Sequence, residues 1–405
     1  MRIPKSSNLF PIVVLAFMGP TMAYLSTVFD IKVRWGLLAL LVVVVVFSKR
    51  QTKFQNKGIV ALIVLSGVWG LVTTFWSESF DLSVMKSFAF LLSSIPLVLA
   101  GQRWVSVKGI IGSWTYLAPV ALVAMVAAIF GYFLSPFAYT ESLFQGFVYG
   151  PNMMGSLLAI SLPFILWQTW LHWRVPRWKM FWIASVLLNF GFIYITQSRA
   201  ALMVALCTLG GMCLGFSKRK TISATFLLAM MVVLVVSVRP ELQTKVVRQV
   251  IYKHSDDIFY TRVQPWTVSL KKAQLGGLFG AGYGVSIGAG TWEGGLTAVG
   301  YGREKGNTQL AIIEETGLVG FAFYLALIVA LIIRVFGSLT SAKNPQAKVA
   351  LGLAFGAIVG MLFQSVFEAW WVAPGAPESA AFWALVGVGL GLCSKKNEGD
   401  VVDAQ

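Results

Sequence analysis

Apolar stretches of roughly 20 residues recur along the whole chain, and no other feature limits the fold as tightly. A helix of that length crosses the ~30 Å hydrocarbon core of a bilayer. Inside that core every backbone N–H and C=O must be bonded within the protein, so spanning segments are helices or closed barrels. Qualifying segments lie at about 9–29, 33–47, 58–76, 84–101, 109–134, 152–171, 178–196, 200–216, 221–238, 309–333, 347–367 and 379–393. The expected fold is an all-α polytopic membrane protein with about 12 transmembrane helices. Segments 33–47 and 379–393 are short for a bilayer and read as tilted or re-entrant partners. Arg2 and Lys5 precede the first apolar run, as in a signal peptide. That run is too long for a signal core, and a second follows closely, so it reads as a membrane helix. Composition agrees: 57% of residues are hydrophobic and 12% charged, against about 45–50% and about 25% in soluble domains.

The net charge is +16, from 32 Lys and Arg against 16 Asp and Glu. Such a balance can mark a nucleic-acid binder, but the positions of the bases argue otherwise. With the N-terminus in the cytoplasm, Lys49, Arg50, Lys53, Lys57, Arg103, Lys108, Arg174, Arg177, Lys179, Lys218, Arg219, Lys220, Arg334, Lys343, Lys348, Lys395 and Lys396 all fall on the cytoplasmic side. The short outer loops hold only Lys32, Arg34, Lys86 and Arg199. This is the asymmetry that insertion imposes. It places both termini in the cytoplasm, with membrane lipids and no nucleic acid as partners. Cys207, Cys213 and Cys393 lie inside apolar runs, which excludes a disulfide framework. The histidines are His172 and His254, too few for histidine-based metal chemistry, and no cofactor is expected.

The chain divides into helices at 1–238, a large outer loop at 239–308 between the ninth and tenth spans, helices at 309–393, and a polar tail at 394–405. The loop carries Arg239, Lys245, Arg248, Lys253, Arg262, Lys271, Lys272, Arg303 and Lys305 against Glu241, Asp256, Asp257, Glu293 and Glu304. Positive charge is sparse on that side of a membrane protein, and so long an insertion is usually functional. An anionic ligand such as a phosphate group is the expected partner.

Four segments carry chemistry. Arg199, in TQSRAAL at 196–202, stands at the outer mouth of a hydrophobic hairpin, where a charge needs a partner or a polar cavity. Arg262 opens an expected amphipathic helix with Trp266, Leu270 and Ala273, followed by Lys271 and Lys272. The glycines at 276, 277, 280, 282 and 284 then form a turn whose amides could approach a ligand. In REKGNTQLAIIEETGLVGF at 303–321, Asn307 or Thr308 caps a helix, and at least one of Glu314 and Glu315 should point to a polar cavity or a basic partner. Pro151 and Asn152 start the sixth span. Trp266, Trp292 and Tyr301 could stack on sugar rings.

Together these segments resemble the O-antigen ligase and O-antigen polymerase superfamily, over residues 145–325. Pro151-Asn152 matches its helix start, and Ser198-Arg199 matches its Ser-Arg step at an outer helix end. Arg262, Trp266, Gly280, Gly282 and Gly284 match its Arg, Trp and Gly-X-Gly loop. Asn307-Thr308-Gln309-Leu310 and Glu315-Thr316-Gly317-Leu318-Val319-Gly320 match its final stretch. The resemblance implies a bacterial inner-membrane glycosyltransferase whose site faces the periplasm. The donor would be a glycan on undecaprenyl pyrophosphate, and the acceptor a saccharide or lipid A-core. It implies Arg199 and Arg262 as diphosphate-binding catalytic residues, with no metal. Asn152, Lys271, Arg303, Lys305, Asn307 and Glu315 would bind substrate. The family's ligases carry a histidine where this chain has Gly306, which favours a polymerase or another exopolysaccharide branch over a ligase. It leaves Glu304 as the candidate base, ahead of His254. The alternative is a transporter or flippase for a lipid-linked sugar or other anion, although the two halves show no internal repeat.

Overall fold

The computed structural model describes residues 6–22, 26, 31–47, 56–140, 143–216, 260–287 and 305–395. They form α1 (Ser6–Met18), α2 (Ile31–Phe47), α3 (Lys57–Val72), α4 (Phe80–Thr115), α5 (Ala118–Leu134), α6 (Pro151–Leu171), α7 (Pro176–Thr196), α8 (Arg199–Gly215), α9 (Tyr260–Gly276), α10 (Thr308–Ser341), α11 (Pro345–Gln364) and α12 (Pro377–Lys395). Among the described residues the sheet is one pair of two-residue strands, Tyr139–Thr140 against Leu143–Phe144. Among the described residues, seven stretches are long and apolar enough to cross a membrane: Lys57–Trp76, Phe80–Leu134, Pro151–Leu171, Pro176–Thr196, Thr308–Ser341, Pro345–Gln364 and Pro377–Lys395. The chain is therefore a helical membrane protein. Leu9–Thr21 and Arg199–Gly215 are apolar but shorter. The expected span at 221–238 and the tail beyond 395 lie outside the described residues.

Several boundaries differ from expectation for local reasons. The first helix gives way to a 3-10 turn at Gly19–Thr21, because Pro20 has no N–H to continue the ladder. The fourth expected span runs on to Thr115, and the fifth starts at Ala118 rather than at 109. The sequence interruption at Gly109 is a kink with φ 71° and ψ −174°, after which the helix resumes. The tenth continues to Ser341.

The bundle has an inside and an outside. In the apolar window of α12 94% of residues are buried, against 28% in those of α7 and α10. Helices α6 and α12 therefore form the centre, and the exposed Leu187, Leu188, Leu325, Val329 and Ile333 face the surroundings. Helix α8 packs on α11 backbone to backbone: a Cβ on Gly211 would stand 2.2 Å from the Gly352 carbonyl oxygen. Small residues permit this approach where lipid supplies no hydrophobic drive between helices.

Candidate functional site

Helix α10 is broken near its start, and the break organises one side of the site. Gly317 has φ 69° and ψ −172°, a region essentially restricted to glycine. In an unbroken helix the N–H groups of residues 318 and 319 bond the carbonyls of 314 and 315. Here Leu318 N–H donates to Gly277 O at 3.1 Å and Val319 N–H to Leu278 O at 3.2 Å. The released carbonyls of Glu314 and Glu315 accept from Ala281 and Gly282, each at 3.0 Å. The glycine turn after α9 is thus threaded into the break as a plug. Trp76 Nε1 bonds Gly280 O at 2.9 Å, and Trp69 Nε1 bonds Thr316 O at 2.8 Å.

The expectation that the glycine amides approach a ligand is corrected by this arrangement. Gly280 N–H closes on Gly276 O, Ala281 and Gly282 enter the break, and Gly284 N–H donates to Glu315 Oε2 at 2.6 Å. The side chain that a backbone nest would hold is supplied by the protein itself. Burial, aided by the charge of Glu315, holds the Tyr283 phenol on this plug well above its usual range.

Glu314 and Glu315 find the basic partner that their position demanded. Lys305 Nζ lies 2.5 Å from Glu315 Oε1 and 3.6 Å from Glu314 Oε2. Glu314 Oε1 also accepts Ile287 N–H at 3.0 Å. The Lys86 ammonium stands within electrostatic reach of Glu315 and Lys305, so a second cation faces Glu315. Lys305 and Glu315, expected to touch substrate, bind each other and the plug instead; the Lys305 side chain is 7% exposed. Replacing Lys305 by Met leaves two buried carboxylates poorly matched, which costs about 3–5 kcal/mol. The expected result is a clear fall in the thermal unfolding temperature in detergent, partly restored by adding Glu315→Gln. An unchanged unfolding temperature would remove the pair from the stability account.

The other side of the site is the turn after α11. Arg262 Nη1 donates to Phe367 O at 2.6 Å. Asn307 caps α10, its Oδ1 accepting Leu310 N–H at 2.9 Å, and its Nδ2 donates to Val366 O at 3.0 Å. Thr308 bonds the same turn through its N–H to Ser365 O and its hydroxyl to Glu368 O. Trp266 stacks near Phe367, with ring centroids 5.7 Å apart, and donates to Gly306 O at 3.1 Å. Arg262, Gly306 and Asn307 therefore meet on one turn. The buried face of α9 holds Ser269 and Ala273, whereas Leu270 is exposed, contrary to the expected apolar face.

The start of α8 connects to this end through α6. Ser198 caps α8, its Oγ accepting Ala201 N–H at 3.4 Å, and Arg199 is the first, half-buried residue of the helix. The cap packs on α6, since a Cβ on Gly155 would stand 2.8 Å from Ser198 Cβ. The next residue, Ser156, accepts from Gln364 at the end of α11. Asn152 is exposed, and its carbonyl accepts the Ser156 hydroxyl. Lys271 is exposed on α9. Arg303, Glu304, His254, Trp292 and Tyr301 lie outside the described residues.

The sequence reading passed over Gln364, Glu368 and Glu378. They sit in and beside the short link between the last two apolar segments. The available signal was two acids bracketing an aromatic, proline-containing connection, Glu368 to Glu378. No family model and no curated protein matches the chain.

Proposed function

We propose that the protein is a glycosyltransferase of the O-antigen ligase and polymerase type, with about twelve spans, cytoplasmic termini and a periplasm-facing site in a bacterial inner membrane. One observation carries the reading. Arg262 and Asn307, far apart in sequence, both bond the turn after α11, and the Ser198 cap that precedes Arg199 packs on Gly155, next to the Ser156 that bonds Gln364 at the end of α11.

In this reading an acceptor sugar hydroxyl attacks the anomeric carbon of a glycan on undecaprenyl pyrophosphate. The C–O bond to phosphate breaks, and its electron pair leaves with the diphosphate. Negative charge on that leaving group has to be stabilised where it develops. A guanidinium suits this task because its fork of five N–H donors matches phosphate and stays charged. One donor of Arg262 is fixed on Phe367 O, which orients the remaining fork. Arg199, at the start of α8, adds its charge to a helix N-terminus, itself favourable to anions.

The glycine at 306 favours polymerase over ligase. Incubating the reconstituted protein with lipid-linked glycan, with and without lipid A-core, separates them. Longer glycan still on the lipid carrier is the expected product; glycan on the core would make the protein a ligase.

Transport is the second reading, and broken helices at Gly109 and Gly317 favour it, since transporters build ion sites at such breaks. The Gly317 break, however, is filled by the backbone of the plug. Movement of the lipid-linked glycan across the bilayer without transfer would establish transport.

A further inference from the structure

The turn that holds Arg262 also carries a buried polar group with no assigned task. Gln364 Nε2 donates to Ser156 Oγ at 2.6 Å and to Glu368 Oε2 at 3.3 Å. The Glu378 carboxyl, at the start of α12, lies beside Ser156 and within electrostatic reach of Glu368. Gln364 is fully buried, and its Oε1 has no hydrogen-bond partner among the described residues. A buried amide oxygen is an acceptor that calls for an O–H or N–H donor. Sugar hydroxyls supply such donors.

Position 306 cannot supply the base without rearrangement. A Cβ there would stand 2.9 Å from Pro265 Cβ, with Arg262 Nη1 at 4.0 Å. Any side chain at 306 would press against Pro265 beside the arginine. Glu368, by contrast, follows Phe367 on the turn that fixes Arg262. It stands one residue along the chain from the carbonyl that holds Arg262 Nη1.

We propose that Glu368, rather than Glu304, accepts the proton of the attacking hydroxyl, and that Gln364 Oε1 receives a neighbouring hydroxyl of the same acceptor sugar. The inference rests on the glycosyl-transfer reading above. The O–H bond breaks toward the Glu368 carboxylate, the oxygen pair forms the new bond to the anomeric carbon, and the diphosphate leaves with the old bonding pair. Glu378 from α12 lies within electrostatic reach of Glu368, and Arg262 from α9 holds the carbonyl of the preceding residue, Phe367.

The test measures transfer by the full-length protein in proteoliposomes, using undecaprenyl-pyrophosphate-linked glycan as both donor and acceptor, across pH. Glu368→Gln should lower kcat by about 10²–10⁴-fold and remove the acidic limb of the pH profile, while KM stays within about threefold. Glu368→Asp should restore part of kcat together with the limb. Should Glu368→Gln fail to fold, Glu368→Asp carries the test: a kcat equal to wild type overturns the proposal. It is also overturned if Glu368→Gln keeps the rate and the limb, or if Glu304→Gln is the variant that removes the limb. Wild-type protein that transfers no glycan to any acceptor overturns the glycosyl-transfer reading itself, before any variant is compared.

Discussion

Gly317→Ala should yield little folded protein. The substitution places a Cβ 2.2 Å from the Leu278 carbonyl oxygen, a backbone atom that cannot turn aside. It also forces φ 69° and ψ −172° on an L-residue, at a cost of about 1–3 kcal/mol before any clash. Alanine is the best helix former, so the substituted chain is drawn toward a continuous α10. That closes the break and expels residues 277–282, and with them the four bonds they make to residues 314, 315, 318 and 319. Size-exclusion profiles and thermal unfolding in detergent read the outcome. Gly337→Ala is the control in the same helix, because nothing lies within 4 Å of its Cβ position. That change should be neutral or stabilise by up to about 1 kcal/mol. Equal behaviour of the two variants would refute the structural role of the break.

Arg262→Ala should keep the fold and lose transfer. The hydrogen bond to Phe367 O is part-buried, and removal of its charged donor costs about 1.5–3 kcal/mol of stability. Loss of a charged donor aimed at the leaving diphosphate should cost about 3 kcal/mol in the transition state, or ~100-fold in kcat/KM. Arg262→Lys retains the charge without the planar fork and should fall between wild type and alanine. A tenfold loss of expression with normal specific activity would instead make Arg262 a structural clamp on the turn.

The fold was legible wherever hydropathy alone decides. Helices α3, α6, α7, α10, α11 and α12 sit where apolar runs of bilayer length place them. That at least one of Glu314 and Glu315 needs a basic partner or a polar cavity was also legible, because two carboxylates in an apolar helix cannot remain unmatched. The break at Gly317 was not. The stretch from Thr308 to Ser341 reads as a continuous apolar helix, and its interruption depends on a segment that arrives from residues 277–282. For the same reason the glycine amides read as open to a ligand, when the partner was the released carbonyls of α10. Glu368 and Glu378 escaped notice because a short connection between spans shows no periodicity. Only the packing of α6 against the end of α11 turns them into neighbours of Ser156 and Gln364.

Release of undecaprenyl pyrophosphate during glycan transfer tests the central claim most directly. Purified protein in proteoliposomes is given a lipid-linked glycan and a saccharide acceptor, and free undecaprenyl pyrophosphate is counted against glycosidic bonds formed. The predicted result is one diphosphate released per bond formed, with both falling together by ~100-fold in Arg262→Ala. Lipid-linked glycan that crosses the bilayer intact, with no diphosphate released by wild type, would contradict the account.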